Sequence, residues 1–223
     1  MSVRDVSVRA VLFDFDFTLG DSADAIVHCS RAAFTDMGLG PAEPAAIRRT
    51  IGLTLERSFH ELTGDPDGER ALEYTRCYVA HADRVMTGMT TVYEPAAGVL
   101  ATMRARGVAT AIVSTKYRYR IESILEHCGL AGAVDVIVGG EDVSRHKPDP
   151  EGLQRALDGL GVPGGQALYV GDHPVDGHAA ARAGVRFVRV LTGEDLGDAP
   201  WAGIQPLATL DDVGGLLSVL DRL

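Results

Sequence analysis

One stretch near the start of the chain decides the fold: residues 11–22, which read VLFDFDFTLGDS. The apolar, β-branched run predicts a buried strand over Val6–Phe13, and the acidic residues after it predict a turn. Similar strands are predicted at Val108–Val113, Val134–Val138, Ala167–Val170 and Val185–Val190. Helices are predicted between them, near residues 96–106, 117–128, 150–159 and 175–183. This alternation predicts an α/β fold, with a Rossmann-like, three-layer core in which helices cover both faces of a parallel sheet.

The segment after the first strand interrupts this alternation. Residues 22 to about 90 contain no convincing strand, and they predict helices over Ser22–Met37, Ala45–Thr50, Leu55–Leu62 and Asp67–Val85. A crossover between parallel strands needs only about a dozen residues, so this block is predicted to be an inserted helical cap domain. The predicted division is a core of residues 1–20 plus 91–223 and a cap of residues 21–90. The tail predicts a short strand near Pro206–Thr209 and a helix that ends at Leu220.

Composition and charge exclude several classes of protein. With 46% hydrophobic and 23% charged residues among 223, the chain resembles globular proteins and not disordered, collagen-like or membrane-spanning ones. Its formal net charge of −10 argues against nucleic acid or an anionic membrane as a partner. Three scattered cysteines, with no secretory signal and no long apolar run, favour the cytoplasm. The expected oligomeric state is a monomer or a homodimer.

Polar side chains occur at the ends of three predicted strands and near the end of a further strand–helix unit. Ligands bind beyond the carboxyl ends of the strands in an open parallel sheet, so these residues are expected at one common edge. The four stretches are Asp14-Phe15-Asp16, Ser114-Thr115-Lys116, His146-Lys147-Pro148-Asp149 and Gly171-Asp172 with Asp176 four residues later.

These residue types suit phosphoryl transfer. Asp14 and Asp172, with a backbone carbonyl, offer the oxygen-only ligands that Mg²⁺ prefers. A carboxylate beside such a metal can attack phosphorus, and a second one, Asp16, can act as general acid and then as base. Ser114 and the backbone amide after it can hold phosphoryl oxygens, while Lys147 neutralises their charge.

The four stretches resemble, in order and spacing, the motifs of the haloacid dehalogenase superfamily of phosphohydrolases, in the subfamily with a helical cap after the first strand. The resemblance spans about residues 8–190. It implies that Asp14 is the nucleophile and that Asp16 is the acid/base. It also implies a phosphate site at Ser114, Thr115 and Lys147, and a cap that reads the leaving group. The implied metal site consists of Asp14, Asp16, Asp172 and Asp176.

The chain departs from this pattern at one position and leaves several cap residues open. Phe17 stands where close phosphatase relatives usually carry glycine, which bears on the pocket and the substrate more than on the reaction. In the cap, Arg48, Arg49 and the turn Gly52-Leu53-Thr54 are candidates for touching substrate, although a solvated helix face also accounts for the two arginines.

Other polar residues near the predicted edge are expected outside the chemistry. Lys116 and Arg118 lie at the start of a predicted helix and are interpreted as part of its solvated surface. His146, His173 and His178 lack the spacing of metal ligands and are expected at the surface or beside the site.

The function predicted is Mg²⁺-dependent hydrolysis of a small, phosphoglycolate-like phosphate monoester. A β-phosphoglucomutase-type phosphotransferase is the main alternative; those relatives carry a histidine and a basic residue where this chain has Ile26 and Leu55, although His28 is close. Inorganic pyrophosphate stays open as a substrate. A non-enzymatic receiver domain is disfavoured by the roughly 70-residue cap, and dehalogenation by the presence of Asp16.

Overall fold

A six-stranded parallel sheet forms the centre of the computed structural model, which describes residues 7–223. In chain order, the strands of this part of the chain are β1 (Ala10–Phe13), β2 (Gly20–Asp21), β3 (Thr91–Val92), β4 (Ala109–Val113), β5 (Val136–Val138), β6 (Ala167–Gly171), β7 (Arg186–Val190) and β8 (Ala208–Leu210). The main sheet has the order β5-β4-β1-β6-β7-β8, and β2 pairs with β3 in a separate antiparallel ribbon. The first strand therefore lies in the middle of the sheet.

Helices cover the sheet and fill the segment between β2 and β3. They are α1 (Ala23–Asp36), α2 (Pro44–Arg48), α3 (Leu55–Thr63), α4 (Gly68–Met89), α5 (Glu94–Ala105), α6 (Arg118–His127), α7 (Glu151–Leu160), α8 (Pro174–Ala183) and α9 (Leu216–Leu220). The first four belong to the segment predicted as a cap. The other five accompany the main sheet, so the predicted α/β class with a Rossmann-like core is confirmed.

Strand β1 is buried on both faces, as a central parallel strand must be. All four of its residues are fully buried. Val11 and Phe13 pack in the core cluster that contains residues of α5, α6 and α9, whereas Ala10 and Leu12 pack in the cluster that contains residues of α7 and α8. Because successive side chains of a strand point to opposite faces, β1 packs into the core on both sides of the sheet. The next residue, Asp14, lies at the carboxyl edge of the sheet.

Aromatic packing holds the helical segment between β2 and β3 together. The ring of Tyr74 in α4 meets Phe34 of α1 edge-on, with centroids 5.7 Å apart, and lies 5.6 Å from Phe59 of α3. The Tyr74 hydroxyl donates to Ser30 at 3.0 Å, which satisfies its buried polar end. The three aromatic rings belong to the same core cluster as Val11 and Phe13, so apolar contact is continuous from the helical segment to the sheet.

The predicted boundaries differ from the structure in several places. The ribbon of β2 and β3 was missed, since two-residue strands have no periodicity to detect. The start of the first strand at Val6 lies outside the described residues, and the described strand begins at Ala10. The tail strand is Ala208–Leu210, and the final helix is a 3₁₀ turn, Val213–Gly215, followed by α9.

Phe17 adopts a backbone conformation that glycine takes more readily. Its φ is +58°, and among residues 7–223 it is the single non-glycine residue with a positive φ. This left-handed conformation is unfavourable for a residue with a Cβ. The ring is 5% exposed and packs against Ala23, Ile26 and Ile51 of the helical segment. We infer that this contact offsets the backbone strain.

The balance between ring packing and backbone strain can be measured with two substitutions. Phe17→Ala removes the ring but keeps the strain, so we expect it to lower the free energy of unfolding by about 3–4 kcal/mol. Phe17→Gly removes the same ring but relieves the strain, and is expected to be about 1 kcal/mol more stable than the alanine variant in urea titrations. At Phe34, which lies within α1, the glycine variant should instead be less stable than the alanine variant, because glycine is unfavourable inside a helix. A glycine variant at position 17 no more stable than the alanine variant would contradict this account.

Candidate active site

The structure places the residues from all four sequence stretches at the carboxyl edge of the main sheet. Asp14 directly follows β1, Ser114 follows β4, and Asp172 follows β6. Asp176 lies in the first turn of α8, and Lys147 lies in the loop before α7. Each of these five side chains is buried. Strands β4 and β5 lie on one side of β1, and β6, β7 and β8 lie on the other. The strand order therefore reverses at β1, and this edge has the crevice in which α/β proteins bind ligands.

Lys147 joins the stretches by contacting two carboxylates at once. Its Nζ lies 3.0 Å from Asp14 Oδ1 and 2.7 Å from Asp176 Oδ1. The same ammonium donates to the Tyr169 hydroxyl at 3.2 Å, and that hydroxyl is 2.9 Å from the carbonyl of Val113 and 3.1 Å from Asp176 Oδ1. Burial by itself would lower the pKa of Lys147, but the ion pairs with Asp14 and Asp176 outweigh it and raise the pKa.

The acidic groups outnumber the ammonium groups at this edge. Burial raises the pKa of Asp172 well above its ordinary value, and the charges of Asp176 and Asp14 raise it further. Burial also raises the pKa of Asp14, against the opposing effect of Lys147. One carboxylate oxygen from each of Asp14, Asp172 and Asp176 can be chosen so that all three lie within 4.8 Å of one another. A divalent cation would relieve this repulsion, so the site fits an oxygen-ligated metal.

A second ion pair lies beside the first. Lys116 Nζ is 3.2 Å from Asp16 Oδ1, and the two side chains are only 5% and 10% exposed. The interpretation of Lys116 as part of a solvated helix start is therefore wrong. Arg118, two residues later, does lie at the surface, where it pairs with Asp142. One signal was available in the sequence: the chain has only two lysines, and both lie at this edge.

Two glycines allow backbone to approach the acidic groups closely. A Cβ on Gly171 would lie 2.5 Å from Asp176 Oδ2, and one on Gly193 would lie 2.1 Å from Asp172 Oδ2. A side chain at either position would displace a carboxylate. The Thr18 hydroxyl donates to Asp172 Oδ1 at 3.2 Å, and the backbone N–H of His173 donates to Asp176 Oδ2 at 3.0 Å. The acids are therefore held from several sides.

Ser114 and Thr115 lie beside the two ion pairs but point to different partners. The Ser114 hydroxyl is buried and accepts from the backbone N–H of Lys116 at 3.3 Å. The Thr115 hydroxyl instead donates to the carbonyl of Gly52, in the helical segment, at 3.4 Å. The backbone amide of Thr115 is thus a better candidate for holding an anion than its side chain.

The helical segment lies directly against this edge. Arg120 of α6 donates to Asp83 of α4 at 2.6 Å, and the Tyr119 hydroxyl reaches the same carboxylate at 2.7 Å. Between the segment and the sheet is a cavity of about 60 Å³ whose charged lining residues are Asp16, Lys116 and Arg120. The site is therefore covered on the side where Asp16 and Lys116 lie.

Candidate substrate contacts in the helical segment divide into two groups. Gly52 and Leu53 line the cavity, and Thr54 caps α3 by accepting from the backbone N–H of Arg57. Arg48 pairs with Asp24 at 2.6 Å, and Arg49 is exposed. The turn therefore contacts the cavity, whereas the two arginines lie outside its lining.

The fold and this site define a class of α/β enzyme. Its buried carboxylates and lysines lie together at one sheet edge, where a cation and an anion can bind side by side. Residues 11–190 match the family model described as haloacid dehalogenase-like hydrolase. The chain belongs to this family.

Individual relatives agree with this membership. The chain is 32% identical over 216 residues to a phosphoglycolate phosphatase from Rhodospirillum rubrum, covering 93% of this chain and 89% of the relative. It is 29% identical to a phosphoglycolate phosphatase from Pseudomonas fluorescens, covering 94% and 78% of the two chains. A crystal structure from Bacteroides fragilis, assigned to the haloacid dehalogenase-like hydrolases, superimposes with a TM-score of 0.89 at 38% identity, covering 94% of this chain and 100% of that one.

These similarities confirm the predicted family and the predicted enzyme class, a phosphoric monoester hydrolase. Among residues 7–223, no helix combines the length and the apolar character that crossing a bilayer requires.

His173 makes the metal-free site sensitive to acid. Burial, with a contribution from Lys147, lowers the pKa of His173 to about 4, while an unfolded histidine has a pKa of about 6.5. Between these values the unfolded state binds the extra proton, so folding stability is lost as the pH falls from 6.5 to 4.

We expect the metal-free protein to lose about 2 kcal/mol more unfolding free energy between pH 7.5 and pH 5 than its His173→Asn variant. Asparagine keeps a side-chain acceptor at this N-cap position, where His173 Nδ1 accepts from the N–H of Val175. Urea titrations in the presence of a chelator at the two pH values give the comparison. His127→Asn, at an exposed position of α6, is the control and should behave as wild type. The same acid sensitivity in His173→Asn would disprove the assignment.

Proposed function

We propose that this protein is a Mg²⁺-dependent phosphatase that hydrolyses a small, phosphoglycolate-like phosphate monoester through an aspartyl-phosphate intermediate on Asp14. The observation that carries the proposal is the position of Asp14: buried at the end of the central strand, 3.0 Å from Lys147 and within reach of Asp172 and Asp176. The relatives named phosphoglycolate phosphatase support the substrate class.

In the first half of the reaction, a carboxylate oxygen of Asp14 forms the bond to phosphorus as the bond to the leaving oxygen breaks. Asp16, two residues further along the same turn, donates a proton to that leaving oxygen. Lys147 offsets the negative charge of the phosphoryl oxygens, and the Ser114 hydroxyl and the Thr115 amide donate hydrogen bonds to them. In the second half, Asp16 accepts a proton from water, the water oxygen attacks phosphorus, and Asp14 is released.

The metal ligands we propose are carboxylate oxygens of Asp14 and Asp172 and the backbone carbonyl of Asp16. Bound Mg²⁺ would supply stabilisation of the negative charge on the transferring phosphoryl group. Asp176 adds negative charge to this site, but its two oxygens already accept from Lys147 and from the backbone of His173. Its proposed role is therefore to position Lys147 and to raise the affinity for the cation.

We further propose that residues 21–90 act as a cap on a core of residues 1–20 plus 91–223. Contacts from α4 to Arg120 and Lys116, and from Gly52 to Thr115, support closure of this segment over the site. Closure excludes water while Asp14 attacks, which favours release of the alcohol before hydrolysis. The cytoplasmic location and the monomeric or homodimeric state stay predictions.

A substrate panel tests the reaction. Phosphate release should be measured from phosphoglycolate, sugar phosphates, p-nitrophenyl phosphate and pyrophosphate, with Mg²⁺ and with a chelator. We expect release from small monoesters that disappears with the chelator. Conversion of β-glucose 1-phosphate to the 6-phosphate without phosphate release would indicate the mutase instead, and release confined to pyrophosphate would indicate a pyrophosphatase.

Replacing the proposed nucleophile tests the intermediate. Asp14→Asn keeps the size of the side chain but removes the attacking charge, so kcat should fall by several orders of magnitude. Asp158→Asn, on the exposed face of α7, should retain wild-type turnover. An Asp14→Asn protein that keeps more than about a tenth of the activity would refute this role.

Thermal denaturation tests the metal site without relying on activity. Because surplus negative charge is buried, saturating Mg²⁺ should raise the midpoint by about 5–10 °C, the shift expected for a ligand at about 100 times its Kd. Asp172→Asn removes a carboxylate whose burial is unfavourable, so this variant should be at least as stable as wild type without metal and gain much less from Mg²⁺. Equal gains in the two proteins would place the cation elsewhere.

A further inference from the structure

We propose that Lys116 determines substrate specificity by binding a carboxylate on the leaving group of the substrate. This inference rests on the proposed phosphatase function. It assigns to Lys116 a role separate from that of Lys147: Lys147 contacts the nucleophile Asp14, whereas Lys116 contacts Asp16, the group proposed to protonate the leaving oxygen. The leaving group must therefore lie beside Lys116.

The hydrogen-bonding capacity of Lys116 is incompletely used. An ammonium group has three N–H donors and no acceptor. Among residues 7–223, the acceptors near its ammonium are Asp16 Oδ1 at 3.2 Å, an oxygen that accepts no hydrogen bond, and the weakly accepting sulfur of Met86 at 3.6 Å. A buried ammonium in this condition is stabilised by any oxyanion that enters the cavity.

The cavity contains one cation that a ligand can still reach. Its charged lining residues are Asp16, Lys116 and Arg120. Arg120 is already bound to Asp83 and to the carbonyl of Val79, which leaves Lys116 as the cation available to a ligand. The apolar walls include Ile26, Leu53 and Leu55 and strengthen the attraction by excluding water.

The size of the cavity limits the leaving group. A single water molecule needs about 10–15 Å³ of such space, so a cavity of about 60 Å³ accepts only a handful of non-hydrogen atoms. An alcohol of two or three carbons with one carboxylate meets this limit and brings an oxyanion to Lys116. A sugar is larger than this space and would have to extend through the opening of the cavity.

The test compares two esters of similar size that differ in charge: phosphoglycolate and 2-hydroxyethyl phosphate. For each enzyme, the specificity ratio is the kcat/KM for phosphoglycolate divided by that for the neutral ester. Damage to Asp16 chemistry lowers both values and cancels in the ratio. We expect Lys116→Met to lower the ratio by about 10- to 100-fold, the range expected for loss of a charge-assisted hydrogen bond. Lys116→Arg should retain a larger part of it.

Controls separate the possible failures. Arg118→Gln removes a positive charge two residues away at the surface and should leave the ratio unchanged. Lys116→Gln provides a second, polar replacement if the methionine variant does not fold. A ratio unchanged in the position-116 variants, or a wild-type enzyme that hydrolyses both esters equally well, would overturn the role of Lys116 and leave the phosphatase function intact. A wild-type protein that hydrolyses neither ester nor p-nitrophenyl phosphate would overturn both proposals.

Discussion

The contact of one buried lysine with two buried aspartates is the constraint on which the rest of this site depends. Lys147 contacts Asp14 and Asp176 at 3.0 and 2.7 Å, and it joins the loop before α7 to the end of β1 and the first turn of α8. Charges so deeply buried are tolerated only when they are paired or coordinated. The acids still exceed the lysines at this edge, and this remaining imbalance is what makes the site suitable for a cation.

The overall charge and the position of the two lysines have different consequences for ligand binding in this molecule. The net charge of −10 describes the whole chain and disfavours polyanions. The two lysines, however, are both buried beside carboxylates at the carboxyl edge of the sheet. A small phosphate ester that reaches this edge meets two ammonium groups, and a bound cation would offset the remaining negative charge of the acids. The proposed substrate is consequently a small anion whose phosphate and carboxylate are read by different lysines.

Sequence reasoning failed where a residue's role depends on a partner far along the chain. Lys116 was interpreted as solvated because it precedes a helix, but α4, some thirty residues earlier, covers it through Met86. The prediction of a phosphate contact at Thr115 does not reveal that the hydroxyl of this residue contacts Gly52 of the helical segment. The backbone of Phe17 is strained, and only packing against Ile26 and Ile51 accounts for it. No periodicity or local motif reports such contacts.

The sequence by itself determined the order of strands and helices, the inserted helical segment and the candidate acids at the strand ends, because hydrophobic periodicity and strand-end chemistry are local properties. Only the tertiary structure decided which charged groups pair and which face a cavity. Pairing of Asp16 with Lys116, and of Asp14 with Lys147, depends on how β1, β4 and the loop before α7 meet. Burial then determines how strongly each charge acts, since the interaction between charges grows as water is excluded.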